Sequence, residues 1–129
     1  VQKYHDSHQI INKAPATRKS TRVELIRRLA RARDFMDSNF AETISLEDVA
    51  QVACMSQYHL LDCFKAVYEL TPYQYLTQVR LQEAKTLLES KDISVQQVCQ
   101  AVGYEDISSF SKLYKKTYGV SPSKTRRNL

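Results

Sequence analysis

Two stretches of this chain set hydrogen-bonding, apolar and cationic side chains at helical spacing. The first holds Gln57, Tyr58, Leu61, Asp62 and Lys65; the second holds Ile107, Ser108, Ser111, Lys112, Lys115 and Lys116. Residues three and four apart share one face of a helix, so each set can present a single surface. Lys65, Lys112, Lys115 and Lys116 can neutralise phosphates. Gln57 suits an adenine edge or a phosphate, Tyr58 a phosphate or sugar, the serines either partner, and Lys112 a guanine edge or a phosphate. Leu61 and Ile107 can meet a thymine methyl. This is the chemistry of reading a nucleic acid.

Chemistry of other kinds lacks its residues. There is no phosphate-cradling glycine loop, no nucleophile motif and no acid–base constellation, so no catalytic residue and no cofactor is assigned. His59 and Cys63 lie four residues apart with Cys54 nearby, the one pattern that suggests a metal. No complete zinc-ligand spacing accompanies it, so a structural role is favoured and no metal ligand is assigned.

Helices must carry the two stretches. Only two glycines and three prolines punctuate 129 residues, while apolar positions recur every three or four. From Thr21, Leu25, Leu29, Ala32 and Met36 form one stripe, predicting a helix that ends near Asn39. Ser45 can cap a second helix burying Leu46, Val49, Ala50 and Ala53, and Glu47 and Asp48 suit its positive end. After a break at Cys54-Met55, Ser56 can cap a third helix whose Leu60, Phe64 and Val67 face inward. Thr71-Pro72 opens a long helix to about Glu89, burying Leu76, Val79 or the stem of Arg80, Ala84, Leu87 and Leu88. Arg80 is expected in an internal polar contact. Ser94 to Gln97 has the form of a capping box, followed by Val95, Val98, Cys99 and Val102 as a buried stripe. Gly103 can supply a positive-φ turn, Asp106 a cap, and Gly119 a stop for a last long helix. Phe110, Leu113 and Tyr114 are expected inward there, with Ile107 and the serines and lysines opposite. Ser121-Pro122 then opens a short basic tail with Lys124, Arg126 and Arg127.

The pattern occurs twice. Ile44-Ser45 placed on Ile93-Ser94 brings Val49 onto Val98, Ala50 onto Cys99 and Ala53 onto Val102. One inserted residue later, Ser56 meets Asp106, Leu60 meets Phe110, Phe64-Lys65 meets Tyr114-Lys115, and Thr71-Pro72 meets Ser121-Pro122. A short capped helix, a tight turn and a longer helix make a helix-turn-helix, whose second helix can enter a major groove. Duplication of a hairpin merely to build a core is the plainer alternative.

Composition agrees with one compact, possibly bilobal, all-α domain: 43% of residues are hydrophobic and the formal charge is +5. The excess of 19 Lys and Arg over 14 Asp and Glu permits a polyanionic partner without requiring one. Cys54, Cys63 and Cys99 are odd in number and sit in apolar helical patterns, and so read as reduced core residues of a cytoplasmic protein. No apolar run approaches the roughly 20 residues of a membrane span, and no leader pattern opens the chain. Residues 1–21 show no sustained period and read as a partly disordered arm or interdomain linker. Because Val1 rather than Met comes first, the chain is expected to be a fragment.

From Ser45 to Arg126 the chain resembles the C-terminal domain of AraC/XylS-type bacterial transcription regulators. The likeness rests on SLEDVAQVACMSQYHLLDCFK, TPYQYLTQVRLQEAKTLL and ISVQQVCQAVGYEDISSFSKLYKKTYGVSP, in that order. It implies a homeodomain-like fold of about seven helices, in which residues 22–129 form the DNA-binding domain. The first helix-turn-helix lies near 45–68, the linker helix near 72–89 and the second near 94–118. Double-stranded DNA is the implied partner, RNA polymerase a further one, and an effector-sensing or dimerisation domain the implied upstream neighbour. Two recognition helices in one protomer would read adjacent major-groove faces about 34–36 Å apart, with the linker helix setting their separation.

Three residues depart from the family pattern: Cys54 stands for the usual turn glycine, Glu69 where the second copy has Gly119, and Thr125 at a usually aromatic position. Tyr58, Leu61 and Asp62 match family positions that approach bases, yet Asp62 is acidic where a cationic or polar residue is common. Asp62 can accept from cytosine N4, pair with Lys65 or an arginine, or mark a weakly binding first copy. Pairing or weak binding is favoured, because exposed charges more often form solvated faces. The expectation is therefore unequal readout, with the second helix supplying more affinity.

Overall fold

The computed structural model of the chain describes residues 16–90 and 92–127. Seven helices and no strand occur among them: α1 (Ala16–Asn39), α2 (Leu46–Ala53), α3 (Gln57–Tyr68), α4 (Pro72–Ser90), α5 (Val95–Ala101), α6 (Ile107–Tyr118) and α7 (Pro122–Arg127). Two compact units divide them. Unit 1 comprises the chain up to Asn39 with Ile44–Leu76, and unit 2 comprises Phe40–Thr43 with the chain from Thr77 on. Most of the arm assigned to residues 1–21 lies outside the described residues, and its last part already belongs to α1. The basic tail is helical, as Ser121 caps it: its Oγ accepts from Lys124 N–H at 3.1 Å.

Reciprocal side-chain bonds start the helices. Ser45 Oγ accepts from Asp48 N–H and Asp48 Oδ2 accepts from Ser45 N–H, both at 3.0 Å. Ser94 and Gln97 repeat this at 3.1 and 2.9 Å, and Thr71 and Gln74 do so at the start of α4, again at 3.1 and 2.9 Å. Each box satisfies two backbone groups that the first helical turn leaves open.

The turns end α2 and α5 alike. Cys54 N–H donates to Gln51 O and Met55 N–H to Ala50 O; in the second copy Gly103 N–H donates to Gln100 O and Tyr104 N–H to Cys99 O. This paired pattern requires one left-handed residue, which is Cys54 (φ 57°) in the first turn and Gly103 (φ 97°) in the second. Glycine is favoured at 103 for a second reason: a Cβ there would crowd Ala41 O at 3.0 Å and Arg80 Nε at 3.2 Å.

In unit 1, Leu29, Ala32, Met36, Val49, Ala50, Ala53, Leu60, Cys63, Phe64 and Leu76 are buried. In unit 2, Leu81, Ala84, Leu88, Val98, Cys99, Val102, Phe110 and Tyr114 form the core. Three expectations are corrected. Leu81, 1% exposed, is the buried residue of α4 where Val79 or Arg80 was expected; both of these are half-buried. Cys54 is exposed, because at the left-handed residue the chain leaves the helical phase that turns Ala50 and Ala53 inward. Leu46, Val67, Leu87, Val95 and Leu113, all expected inward, are half-buried, at the edge of their stripes.

Candidate nucleic-acid interface

Each longer helix is positioned from its start. Ser56 Oγ accepts from His59 N–H at 3.1 Å to begin α3, and Asp106 Oδ1 accepts from Ser108 N–H at 3.1 Å to begin α6. The Ser109 hydroxyl donates to Asp106 Oδ2 at 2.6 Å. That bond, with the Ser108 amide, holds the Asp106 carboxyl below its usual range, and the anionic cap suits the positive end of α6. Both helices close on a left-handed residue, Glu69 or Gly119, whose N–H returns to Lys65 O or Lys115 O at 2.8 and 2.7 Å.

Burying one stripe leaves the opposite face of each helix outward. On α3, Leu60, Cys63, Phe64 and Ala66 are buried, and Gln57, Tyr58, Leu61 and Asp62 are exposed with Lys65 half-buried. Tyr58 is 81% exposed, a large ring left to solvent, and Leu61 is 38% exposed. On α6, Ser108, Lys112, Lys115 and Lys116 are exposed, and Ser111 is half-buried. Ile107 differs from expectation: it packs in part against the unit 2 core. Its position nearly one turn before Phe110 places it on the flank of the buried stripe. His59 and Ser109, exposed on the opposite flanks, were not among the expected candidates. Their exposure follows from a helical wheel, but Ser109 spends its hydroxyl on Asp106.

The two faces differ in charge. Asp62 and Lys65 oppose each other on α3, whereas α6 carries three lysines and no acidic residue. Arg80 is engaged internally: Nε donates to Phe40 O at 2.6 Å, Nη2 to Glu42 O at 2.8 Å, and its guanidinium sits 5.4 Å from the Tyr104 ring centroid. No group of three or more His, Cys, Asp and Glu among the described residues is arranged to hold a metal. His59 is exposed while Cys63 is buried, and burial, with Asp62 adding, pushes the Cys63 thiol up to about 11. No helix of the described residues is long and apolar enough to cross a membrane.

A family described as a helix-turn-helix domain matches residues 49–128. A transcriptional regulator from Chromobacterium violaceum, described as an AraC-type DNA-binding domain-containing protein, superposes with a TM-score of 0.73 at 28% identity, covering 78% of this chain and 89% of that one. The chain belongs to the AraC-type helix-turn-helix family. The DNA-binding domain of AdpA, a global transcriptional factor solved in complex with a target DNA, superposes on this AraC-type chain with a TM-score of 0.74 at 26% identity, covering 78% and 90% of the two chains. The MmsAB operon regulatory protein of Pseudomonas aeruginosa is 36% identical over 95 residues, 74% of this chain and 31% of that protein. The AraC-type chain spans about a third to a half of the length of the curated relatives it matches.

Proposed function

We propose that this chain is the DNA-reading part of a bacterial transcription regulator of AraC/XylS type, and that it reads duplex DNA by sequence through α3 and α6. The observation that carries this is the duplicated unit itself. Two capped helix-turn-helix pairs with the same turn hydrogen bonds each leave one outward face on the longer helix. A helix so presented fits the width of a major groove. The likeness to the AdpA domain, which was solved on DNA, supports the reading.

Within it, Gln57, Tyr58, Leu61, Asp62 and Lys65 form the first contact set, and Ile107, Ser108, Ser111, Lys112, Lys115 and Lys116 the second. Lys115 and Lys116 anchor phosphates; Ser108, Ser111 and Lys112 face base edges or phosphates, and the exposed part of Ile107 a thymine methyl. The charge difference between α3 and α6 supports the reading that α6 supplies most of the affinity. No reaction is assigned to the chain. An effector-sensing or dimerisation domain upstream, action in the cytoplasm and contact with RNA polymerase belong to the same proposal.

A second reading draws on Tyr58 and Leu61, whose exposure beside an acidic residue also suits a protein surface: a degenerate helix-turn-helix acting mainly through protein contacts. Titration of the chain with duplex DNA at low salt separates the two. The DNA reading expects saturable binding that weakens as salt rises, through counterion release. Absence of duplex binding together with retained binding to RNA polymerase selects the protein-contact reading.

A further inference from the structure

The duplication reaches further back than the helix-turn-helix pairs. Shifted by 52 residues, α1 runs onto α4: Arg28 on Arg80, Leu29 on Leu81, Ala32 on Ala84, Arg33 on Lys85 and Met36 on Leu88. The apolar members of these pairs are all at most 1% exposed, so the alignment holds in three dimensions as well as in sequence. Each unit is thus a three-helix repeat, and its first helix carries two cations at matching places.

The first cation meets the turn. Arg28 Nη1 donates to Cys54 O at 3.2 Å in unit 1, and Arg80 lies over Tyr104 in unit 2. The second cation meets the far end of the reading helix. The Arg33 guanidinium carbon stands 5.3 Å from the Tyr68 ring centroid, and Lys85 Nζ stands 5.2 Å from that of Tyr118. Tyr68 and Tyr118 are the last residues of α3 and α6. Both lean on the aromatic ring one turn earlier, Phe64 or Tyr114, at the same 4.7 Å centroid separation and at interplanar angles of 60° and 57°. Two helices whose outward faces have diverged have kept this contact in the same geometry.

Its position suggests its use. Caps at Ser56 and Asp106 fix where the helices begin, and the buried stripes, with Leu60 and Phe64 or Phe110 and Tyr114 fully buried, fix which face turns outward. A closing ring held between an aromatic neighbour and a cation from the preceding helix adds a contact at the far end that limits the remaining play in rotation. Base-edge hydrogen bonds tolerate little displacement, so the rotation of a helix about 18 Å long decides whether its side chains meet the bases.

We propose that Arg33 and Lys85 are positioning residues: each grips the closing tyrosine of one recognition helix and refines the rotation, set coarsely by the buried stripe, at which that helix meets DNA. This rests on the DNA-reading function proposed above. The test uses the full chain with Arg33→Gln, Lys85→Gln, Arg33→Lys and Lys85→Arg. Affinity is measured for the preferred duplex and for duplexes with single base-pair changes, together with salt dependence and Tm. Each glutamine variant is expected to lose about two- to five-fold in discrimination between preferred and altered duplexes, the scale of one exposed cation–π contact. The loss should fall on different base pairs for the two variants, and each swapped cation should restore it. A lower Tm with unchanged discrimination makes the contact structural only and overturns the proposal. A uniform loss across all duplexes with a shallower salt dependence makes the cations phosphate anchors and also overturns it. Failure of the unmodified chain to prefer any duplex overturns the DNA-reading function and the positioning role together, before any variant is compared.

Discussion

Replacing Lys112, Lys115 and Lys116 together by alanine is expected to abolish most of the duplex affinity and to flatten its salt dependence. Each lysine that neutralises a phosphate contributes about 0.9 to the slope of log affinity against log salt, so the triple variant should lose up to about 2.7. Single replacements then separate phosphate anchors from a base reader, and Lys112 is the one expected to alter preference at a single position. Asp62→Ala is expected to act in the opposite direction, strengthening binding at low salt by removing a carboxylate from a phosphate-facing helix. A drop in binding confined to one C·G pair would instead identify Asp62 as an acceptor for cytosine N4. Losses from Leu61→Ala and Asp62→Ala equal to or greater than those from Ser108→Ala and Lys112→Ala would contradict unequal readout.

Phe110→Ala should have the largest effect on stability. Phe110 is fully buried, with ring centroids 5.6 Å from Tyr104 and 5.9 Å from Tyr114, and it holds α6 against the unit 2 core. Truncation removes its burial and those ring contacts and leaves a cavity, a loss of about 3–5 kcal/mol. Urea unfolding should show a lower midpoint with little change in slope, whereas Gln78→Ala on the exposed side of α4 should stay within about 0.5 kcal/mol. Unfolding of the Phe110 variant indistinguishable from the parent would contradict the assignment of the unit 2 core.

Features written locally were legible in the sequence. Caps at Ser45, Ser56, Ser94 and Asp106 and the positive-φ turn at Gly103 depend on residues a few positions apart, and the repeat that pairs Leu60 with Phe110 is legible because the same local pattern recurs about 50 residues on. Where a reading needed helical phase beyond an element's regular turns, it slipped. Cys54 lies just past the end of α2 and turned out exposed; Ile107 lies at the first position of α6 and leans on the core. Counting in steps of three or four from Leu76 puts the apolar stripe of α4 on Val79 or Arg80, whereas the buried stripe is Leu81, Ala84 and Leu88, in register with Leu29, Ala32 and Met36 on α1. The first turns of α1 are polar and offered no stripe at all.

Contacts between distant segments were not legible. Tyr75 donates to Asp37 Oδ1 at 2.6 Å, Arg33 covers Tyr68, and Tyr114 shares a 3.0 Å hydrogen bond with Thr125, the residue that departs from the family's usual aromatic. None of these pairs has a spacing that announces it. Arg80 was the exception, since a lone arginine among apolar neighbours needs internal acceptors, and it finds two carbonyls. The candidate interface was legible as two faces of two helices. What each face contributes depends on charge and exposure, which the structure sharpens into a neutral α3 and a cationic α6.

Selection of duplexes from a random pool by the intact chain, at a fixed and stated salt concentration, tests sequence-specific reading by α3 and α6 most directly. A defined enriched motif is expected, with one segment constrained more strictly than the other because the two recognition helices are unequal. Recovery of no enriched sequence, with binding that follows salt alone, would contradict sequence-specific reading.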